Sequence, residues 1–417
     1  MAVPELIVIG CGGRGCGYAG YVKDHPDSAR IVACAEPRDF YRNKVGDDHN
    51  ISEELRFRDW KEVLARPKFA DAVLICTQDA MHEEPAIAAA KLGYHILLEK
   101  PMAPTADACR RIVKAVKEAG VMFAVCHVLR YTPYTRKLKA VLDTGVIGNI
   151  VSIQHLEGLH HWHQAHSFVR GNWRNEAESS FMLLAKCCHD LDWLRYVMGE
   201  KCVKAHSFGS LYHLNRENQP AGAADRCTDC PAEVEAACPY SAIKIYLRDR
   251  LLKGHTLWPV NVLTEDVTEE GVEKALRQGP YGRCVYACDN DVVDHQCVNL
   301  EFEGGRTAQM IMTAYNDEGR ITRIFGTRGY IKADSRMIWV KDFLTDKMTE
   351  YDSNVENDNN ITTGHGGGDE GLMSAFISAL ATGDASRILS GIDETLESHL
   401  MVFAAEESRK KGKVIEV

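Results

Sequence analysis

A short apolar run, residues 3–9, leads directly into Gly10-Cys11-Gly12-Gly13-Arg14-Gly15. No other stretch restricts the fold as strongly. Gly10, Gly12 and Gly15 fit G-x-G-x-x-G between a strand and a helix. The first glycine permits the tight turn, the second lets a pyrophosphate approach the backbone, and the third lets helix and strand pack closely. A helix over residues 17–23 would aim its N-terminus at those phosphates. Gly13 and Arg14 lie inside the same loop and belong to the same cofactor-binding set. Residues 29–35 read as a second strand. Glu36 stands at its end, about 20 residues past the loop, where an acid binds the adenosine ribose hydroxyls. Glu36 points to NAD. Arg38, close by, could accept a 2′-phosphate, which keeps NADP open.

The alternation continues. A helix over 60–65 leads to a strand over 72–76, then Thr77-Gln78-Asp79 and a helix over 82–92. The apolar run 94–98 stops at Glu99-Lys100-Pro101. A helix over 107–119 and a strand over 121–125 follow. Strands separated by helices of this length predict a parallel, doubly wound sheet. Ligands then bind beyond the carboxyl ends of the strands, where Thr77, Lys100 and His127 fall. Pro101 pushes Lys100 towards extended geometry and so fixes the direction of its side chain.

Composition narrows the function classes. A chain of 417 residues suggests two domains, with three as the alternative. No apolar run approaches the roughly 20 residues that span a bilayer, so no membrane partner is expected. The net charge of -10 argues against nucleic-acid binding. Residues 6–9 read as a first strand, not a signal peptide. Fifteen cysteines without an export signal then predict reduced thiols in a cytoplasmic protein.

Taken together, the glycine loop, the acid after the second strand, Thr77 to His82, and Glu99-Lys100-Pro101 resemble the Gfo/Idh/MocA family of oxidoreductases. The resemblance implies that Lys100 binds cofactor and substrate at the reacting carbon, with Thr77, His82, Glu99 and His127 on the cofactor. His127-Val128-Leu129-Arg130-Tyr131, a helix over 133–142 and Gly145-Val146-Ile147-Gly148 resemble the family's domain crossover. The implied fold is α/β, an N-terminal Rossmann domain over 1–126. An α+β domain over 127–417 follows, built on a large, mostly antiparallel sheet that covers the nicotinamide. Arg130 and Tyr131 are expected at the substrate, and a homo-oligomer through the C-terminal sheet.

Residues 150–157 alternate as a strand. His155, His160, His161, His163 and His166 place five of the 17 histidines within a short stretch, followed by Trp173 and Arg174. No carboxylate or cysteine is interleaved at a metal-ligand spacing. A loop for a polyhydroxylated substrate is preferred, with flat faces for C–H groups and forks for hydroxyls.

Residues 181–197 read as one apolar helix carrying Lys186, His189, Asp190 and Asp192. Lys186, His189 and Asp190 share a face at spacings of three and four. Burying such groups is costly without a purpose. The segment resembles the family's catalytic helix, in which a histidine matching His189 accepts the alcohol proton. The usual aspartate four residues earlier is Ala185 here. Lys186 and Asp190 are the candidates to replace it.

Between about 211 and 288 the pattern breaks down. Cys227, Cys230 and Cys238 fall in a proline-containing, irregular insertion with little expected core of its own. Such a segment gains most from a metal staple, and a structural zinc is predicted, with an iron–sulfur cluster or simply reduced thiols as the alternatives. Cys284 is the favoured fourth ligand, with Cys288 and His213 as alternatives. Residues 352–360 read as a mobile loop. The glycine-rich stretch 364–369 then opens a helix over 370–380 and could bring His365 or Asp369 into the substrate cleft.

The expected activity is hydride transfer between NAD(P) and a secondary hydroxyl of a sugar, cyclitol or glycoside. His189 serves as base and Lys100 as the polarising cation. The alternative is an NAD-dependent glycoside hydrolase working by transient oxidation, elimination and re-reduction. A non-catalytic NAD sensor ranks behind both.

Overall fold

A computed structural model describes residues 3–354 and 364–417. The segment 355–363, most of the stretch read as a mobile loop, lies outside the described residues.

The first sheet is formed by β1 (Glu5–Ile9), β2 (Arg30–Ala35), β3 (Arg56–Phe57), β4 (Ala72–Ile75), β5 (His95–Leu98) and β6 (Phe123–Val125). All pairs are parallel, in the order β3-β2-β1-β4-β5-β6. Side chains alternate across a strand, so β1 feeds two apolar layers. Ile7 and Ile9 join one core with Ile96 and Leu98; Leu6 and Val8 join the other with Tyr18 and Leu74. The flanking helices show why they start and stop. For Ala106–Ala119, the Thr105 side chain accepts the Ala108 N–H, and Gly120 closes the helix at φ 64°.

The second sheet holds β7 (Ile150–Gly158), β8 (Cys202–Ser210), β9 (His295–Phe302), β10 (Arg306–Thr313), β11 (Arg320–Gly326), β12 (Gly329–Ala333), β13 (Met337–Asp342), β14 (Met348–Asp352) and β15 (Ile415–Glu416). Its order is β14-β13-β12-β11-β7-β10-β9-β8-β15. Only the β7–β10 pairing is parallel. The two last long helices return to the first domain. Helix Gly368–Thr382 contributes Leu372, Met373, Phe376 and Ile377 to the core around Tyr18. Helix Ile392–Lys411 packs Ile392 and Leu396 on the opposite layer.

Three expectations need correction. The segment read as one helix over 181–197 is two, Met182–Ala185 and Cys188–Met198, with Lys186 and Cys187 in the turn between them. The histidine-rich loop is helical, His161–His163 running into a π-helical stretch Gln164–Arg170 whose residues are all buried. The insertion has a core of its own, in which Leu214, Tyr240, Tyr246, Val260, Leu276 and Val285 pack together.

Candidate active site

The glycine loop is set by sterics. A Cβ on Gly15 would stand 2.0 Å from the Gly10 carbonyl oxygen, and one on Gly10, at φ 88°, 2.6 Å from the Cys76 oxygen. Gly13 faces open space, and Gly12 meets only Arg38, at 3.5 Å. Helix Gly13–Asp24 therefore starts inside the loop, earlier than the sequence suggests. No side chain caps it, and its first N–H groups face that space. These features fit a dinucleotide pyrophosphate. At the adenosine end, Glu36 accepts the Cys11 N–H at 2.9 Å and both arms of Arg38, at 2.7 and 3.1 Å. Burial would raise the Glu36 pKa, but the Arg38 contacts hold it below its ordinary value.

Glu99 lies behind Lys100. Its carboxylate accepts Arg14 Nε at 2.7 Å, the Tyr18 hydroxyl at 2.6 Å and the Lys100 N–H at 2.9 Å. Arg14 also reaches Asp369, which holds His365 Nδ1 at 3.0 Å. The loop, the Glu-Lys-Pro turn and the start of helix Gly368–Thr382 thus share one polar chain. Burial pushes the Asp369 pKa up, but His365 and Arg14 outweigh it and bring the carboxyl down to about 2. His82 bridges the same elements: its ring nitrogens lie 2.8 Å from the Pro101 carbonyl and 3.1 Å from the Thr77 carbonyl.

Lys100 Nζ donates to the Ala185 carbonyl at 2.7 Å. The turn that breaks the helix after Ala185 interrupts the run of helical main-chain bonds and turns this oxygen towards the lysine. Lys100 makes no carboxylate ion pair among the described residues, and its ammonium stands 5.9 Å from the Trp173 ring. His189 is buried, with Nδ1 lacking a hydrogen-bond partner among the described residues. Its ring lies 5.5 Å from His365 and 5.9 Å from His127. Burial, then Lys100, drives its pKa well below the ordinary histidine value.

The residues proposed to replace the missing aspartate have other partners. Lys186 Nζ pairs with Glu157 at 2.9 Å. Asp190 is held by Arg320, at 2.6 and 3.1 Å, and by His155 Nε2 at 3.0 Å. Neither bonds Lys100 or His189, because the helix break separates Lys186 from the face that carries His189. Glu157 was absent from the sequence reading. Its alternation with Ile153 and His155 places it on the inner face of β7, and an acid on an apolar face was the available signal.

Other expected contacts also fall elsewhere. Arg130 is fully buried and committed to Asp192 at 2.7 and 2.8 Å, and to Glu394. The Tyr131 hydroxyl bonds the backbone and side chain of Ser390. Both pin the domain crossover to the C-terminal helix and are removed from the substrate set. His82, Glu99 and His127 are buried too; His82 and Glu99 bond the main chain of Thr77, Pro101 and Lys100. His127 has no hydrogen-bond partner on either nitrogen, and burial takes its pKa to about 3. His166 bonds the Tyr246 hydroxyl at 2.8 Å inside the insertion. Arg174 pairs with Asp289 and Glu178.

His163 ends the helical turn and leads into the π-helical stretch, against Trp162 and Trp258. Burial, followed by Lys186, lowers its pKa, with Lys100 adding to the effect. His160 enters the helical turn at φ 70°, and His161 faces Tyr240. Cys227, Cys230, Cys238 and Cys284 all line one small cavity of about 20 Å³ beneath Arg170. They are free thiols, and no three His, Cys, Asp or Glu side chains among the described residues close into a group that could hold a metal.

The model of the oxidoreductase family, NAD-binding Rossmann fold, matches residues 5–127; that of the oxidoreductase family, C-terminal alpha/beta domain, matches residues 139–417. The 2,7-anhydro-N-acetylneuraminate hydratase of Escherichia coli is 30% identical over 195 residues, 46% of this chain and 49% of that protein. Inositol 2-dehydrogenase 2 of Saccharopolyspora erythraea is 28% identical over 199 residues, 48% of this chain and 55% of that protein. The chain spans about half the length of the curated relatives it matches. Among solved structures, a levoglucosan dehydrogenase in complex with NADH and L-sorbose superposes with a TM-score of 0.72 at 18% identity, over 100% of this chain and 99% of that one. That likeness is one of fold. With both domain models matched across nearly its whole length, the chain belongs to the Gfo/Idh/MocA family of oxidoreductases.

Proposed function

We propose that the protein is an NAD-dependent oxidoreductase acting on a secondary hydroxyl of a sugar, cyclitol or glycoside. Residues 1–126 hold the dinucleotide and 127–417 supply the substrate side. The observation that carries this reading is the pairing of an uncompensated cation, Lys100, with a buried neutral histidine, His189, beside a cofactor loop. The dinucleotide, when bound, supplies the hydride acceptor and donor. The chain's own residues handle the proton and the charge. His189 Nδ1 is sealed in the interior, which leaves Nε2 to take the hydroxyl proton. Lys100 stabilises the alkoxide as it develops, and the Ala185 carbonyl holds its ammonium in place without neutralising it. Release of free NADH in step with oxidised product, over a panel of sugars, cyclitols and glycosides, tests the reading.

A second reading, redox-neutral glycoside hydrolysis or elimination, is favoured by His163. Oxidation at one ring carbon acidifies the adjacent C–H, and a second neutral base is then needed. His163 is such a group, near Lys186 and Lys100. Aglycone release without accumulated NADH would select this reading.

Zinc in the insertion is supported by charge balance. Arg170 is fully buried beside the four cysteines and donates to Cys227 Sγ at 3.4 Å. It has no carboxylate partner among the described residues, and its Nη1 has no hydrogen-bond partner. Burial raises the Cys238 and Cys284 thiols while Arg170 acts against it, and a tetrathiolate metal centre would carry negative charge to match the guanidinium. Metal content of the purified protein, compared with Cys227→Ser, decides this. Fifteen free thiols accord with a reducing, cytoplasmic setting. A homo-oligomer is supported by an apolar row in register across five strands of the open sheet face: Phe208, Cys297, Ile311, Leu156 and Ile321. Phe208→Glu should shift the mass measured by light scattering.

A further inference from the structure

A cavity is formed between the histidine helix and the insertion. It encloses about 760 Å³, within the roughly 300–1,000 Å³ of small-molecule sites. Its wall comes from two segments, residues 161–162 and 239–259.

Two indoles dominate it. Trp162 and Trp258 stand 5.3 Å apart at 57°. The Arg250 guanidinium lies 4.0 Å from the Trp162 ring and holds it in place. Trp258 is 48% exposed and Leu257 75% exposed, costly placements for apolar side chains on an open wall. Between them the wall presents Asp249, Lys244, His161 and His255. Flat apolar faces set among fixed donors and acceptors are the chemistry that binds a sugar ring: C–H groups on the indole, hydroxyls on the charged forks.

The cavity adjoins the catalytic region through stacked rings. Trp162 stacks on His163 at 5.6 Å and 22°. Trp258 meets the same imidazole edge-on at 5.0 Å. The Trp162–His163 pair therefore has one ring on the cavity and the other within electrostatic reach of Lys186 and Lys100.

We propose that this cavity is a subsite for a second sugar unit, so that the substrate is a glycoside of at least two rings: one ring at Lys100 and His189, the next against Trp162 and Trp258. The inference rests on the carbohydrate reading of the central site. It assigns a purpose to the insertion: the segment builds the outer wall of the binding cleft and selects substrate length.

The test compares disaccharides (maltose, cellobiose, lactose) with glucose and galactose on the NAD-loaded full chain. Turnover and direct calorimetric binding are measured for the parent protein, Trp258→Ala and Arg250→Gln. At least one disaccharide is expected to exceed its monosaccharide in kcat/KM by tenfold or more. Both variants should raise its KM about tenfold with kcat within twofold, while NAD affinity stays unchanged. Equal kcat/KM for mono- and disaccharides, or variants that leave the disaccharide KM unmoved, overturns the subsite and leaves the dehydrogenase reading standing. A disaccharide that binds, loses affinity in both variants and is never oxidised keeps the subsite and overturns the reaction instead. A saccharide panel that neither binds nor turns over, with NAD bound, overturns both. A change in oligomeric mass in Trp258→Ala with saccharide KM unchanged would reassign the exposed indole to subunit contact.

Discussion

Lys100 donates its side-chain proton to the main-chain carbonyl of Ala185, at 2.7 Å. A peptide oxygen orients the ammonium as a carboxylate would, but it leaves the full positive charge in the cleft. Lys100→Met is therefore expected to cut kcat by about 10²–10³-fold, the usual effect of removing one charge-stabilising donor. NAD affinity should change little. Stopped-flow hydride transfer and NAD titration check the two halves separately.

The same charge depresses the basicity of His189. Burial is the larger cause and Lys100 the next, and both lower the pKa from 6.5. A base must be neutral to act, so the acid limb of the kcat/KM profile should lie well below pH 6.5. In Lys100→Met, the largest of the charge effects is gone, and the His189 pKa should rise. NMR titration of the ring follows this even where turnover is lost, and an unchanged His189 pKa in that variant would count against the coupling.

Acid should destabilise the fold through its buried histidines. Burial takes both His127 and His166 from 6.5 to about 3. Between those values the unfolded chain binds more protons than the folded one, so stability is present above pH 6.5 and is lost as pH falls towards 3. The slope is up to about 1.4 kcal/mol per pH unit for each group. His166→Gln keeps a polar group for Tyr246 and removes one proton from the difference. Urea melts of that variant between pH 6.5 and 4 should lose stability less steeply.

Glu36 and Arg38 are the pair through which the choice of dinucleotide can be tested. Arg38 occupies Glu36 through two side-chain bonds, at 2.7 and 3.1 Å, and partly offsets its charge. Arg38→Ala should expose an unbalanced carboxylate to a 2′-phosphate and widen the preference for NAD over NADP about tenfold or more. The ratio of the two cofactors' kcat/KM values reads this directly.

Neighbouring glycines should answer differently to alanine. Gly15→Ala places a methyl 2.0 Å from a backbone oxygen, so strand and helix must separate. A loss of about 2 kcal/mol or more is expected, with NAD binding lost. Gly13→Ala meets nothing within 4 Å and should melt near the parent temperature.

Much of the first domain was legible because its signals are local. The glycine loop, the apolar strands and the charged turn at Glu99-Lys100-Pro101 each lie within a few residues. The broken helix was not, since apolar periodicity runs straight through Lys186 and Cys187. The partner that holds Lys186, Glu157, lies on β7, a separate element earlier in the chain. Arg130 and Tyr131 misled for the same reason. Their fate depends on Asp192, Glu394 and Ser390, residues distant in sequence whose proximity no local pattern encodes. The insertion was read as an unsupported loop because its core draws on scattered aromatics such as Tyr240, Tyr246 and Tyr286 rather than on a period.

The return of the last two long helices to the first domain carries a consequence for synthesis. Leu372, Met373, Phe376 and Ile377 complete the apolar layer around Tyr18, while Ile392 and Leu396 cover the other side. The dinucleotide-binding half leaves the ribosome first, yet both its faces stay partly uncovered until the final segment emerges. During translation the nascent chain thus exposes sticky surface for most of its elongation time, a natural point for chaperone capture.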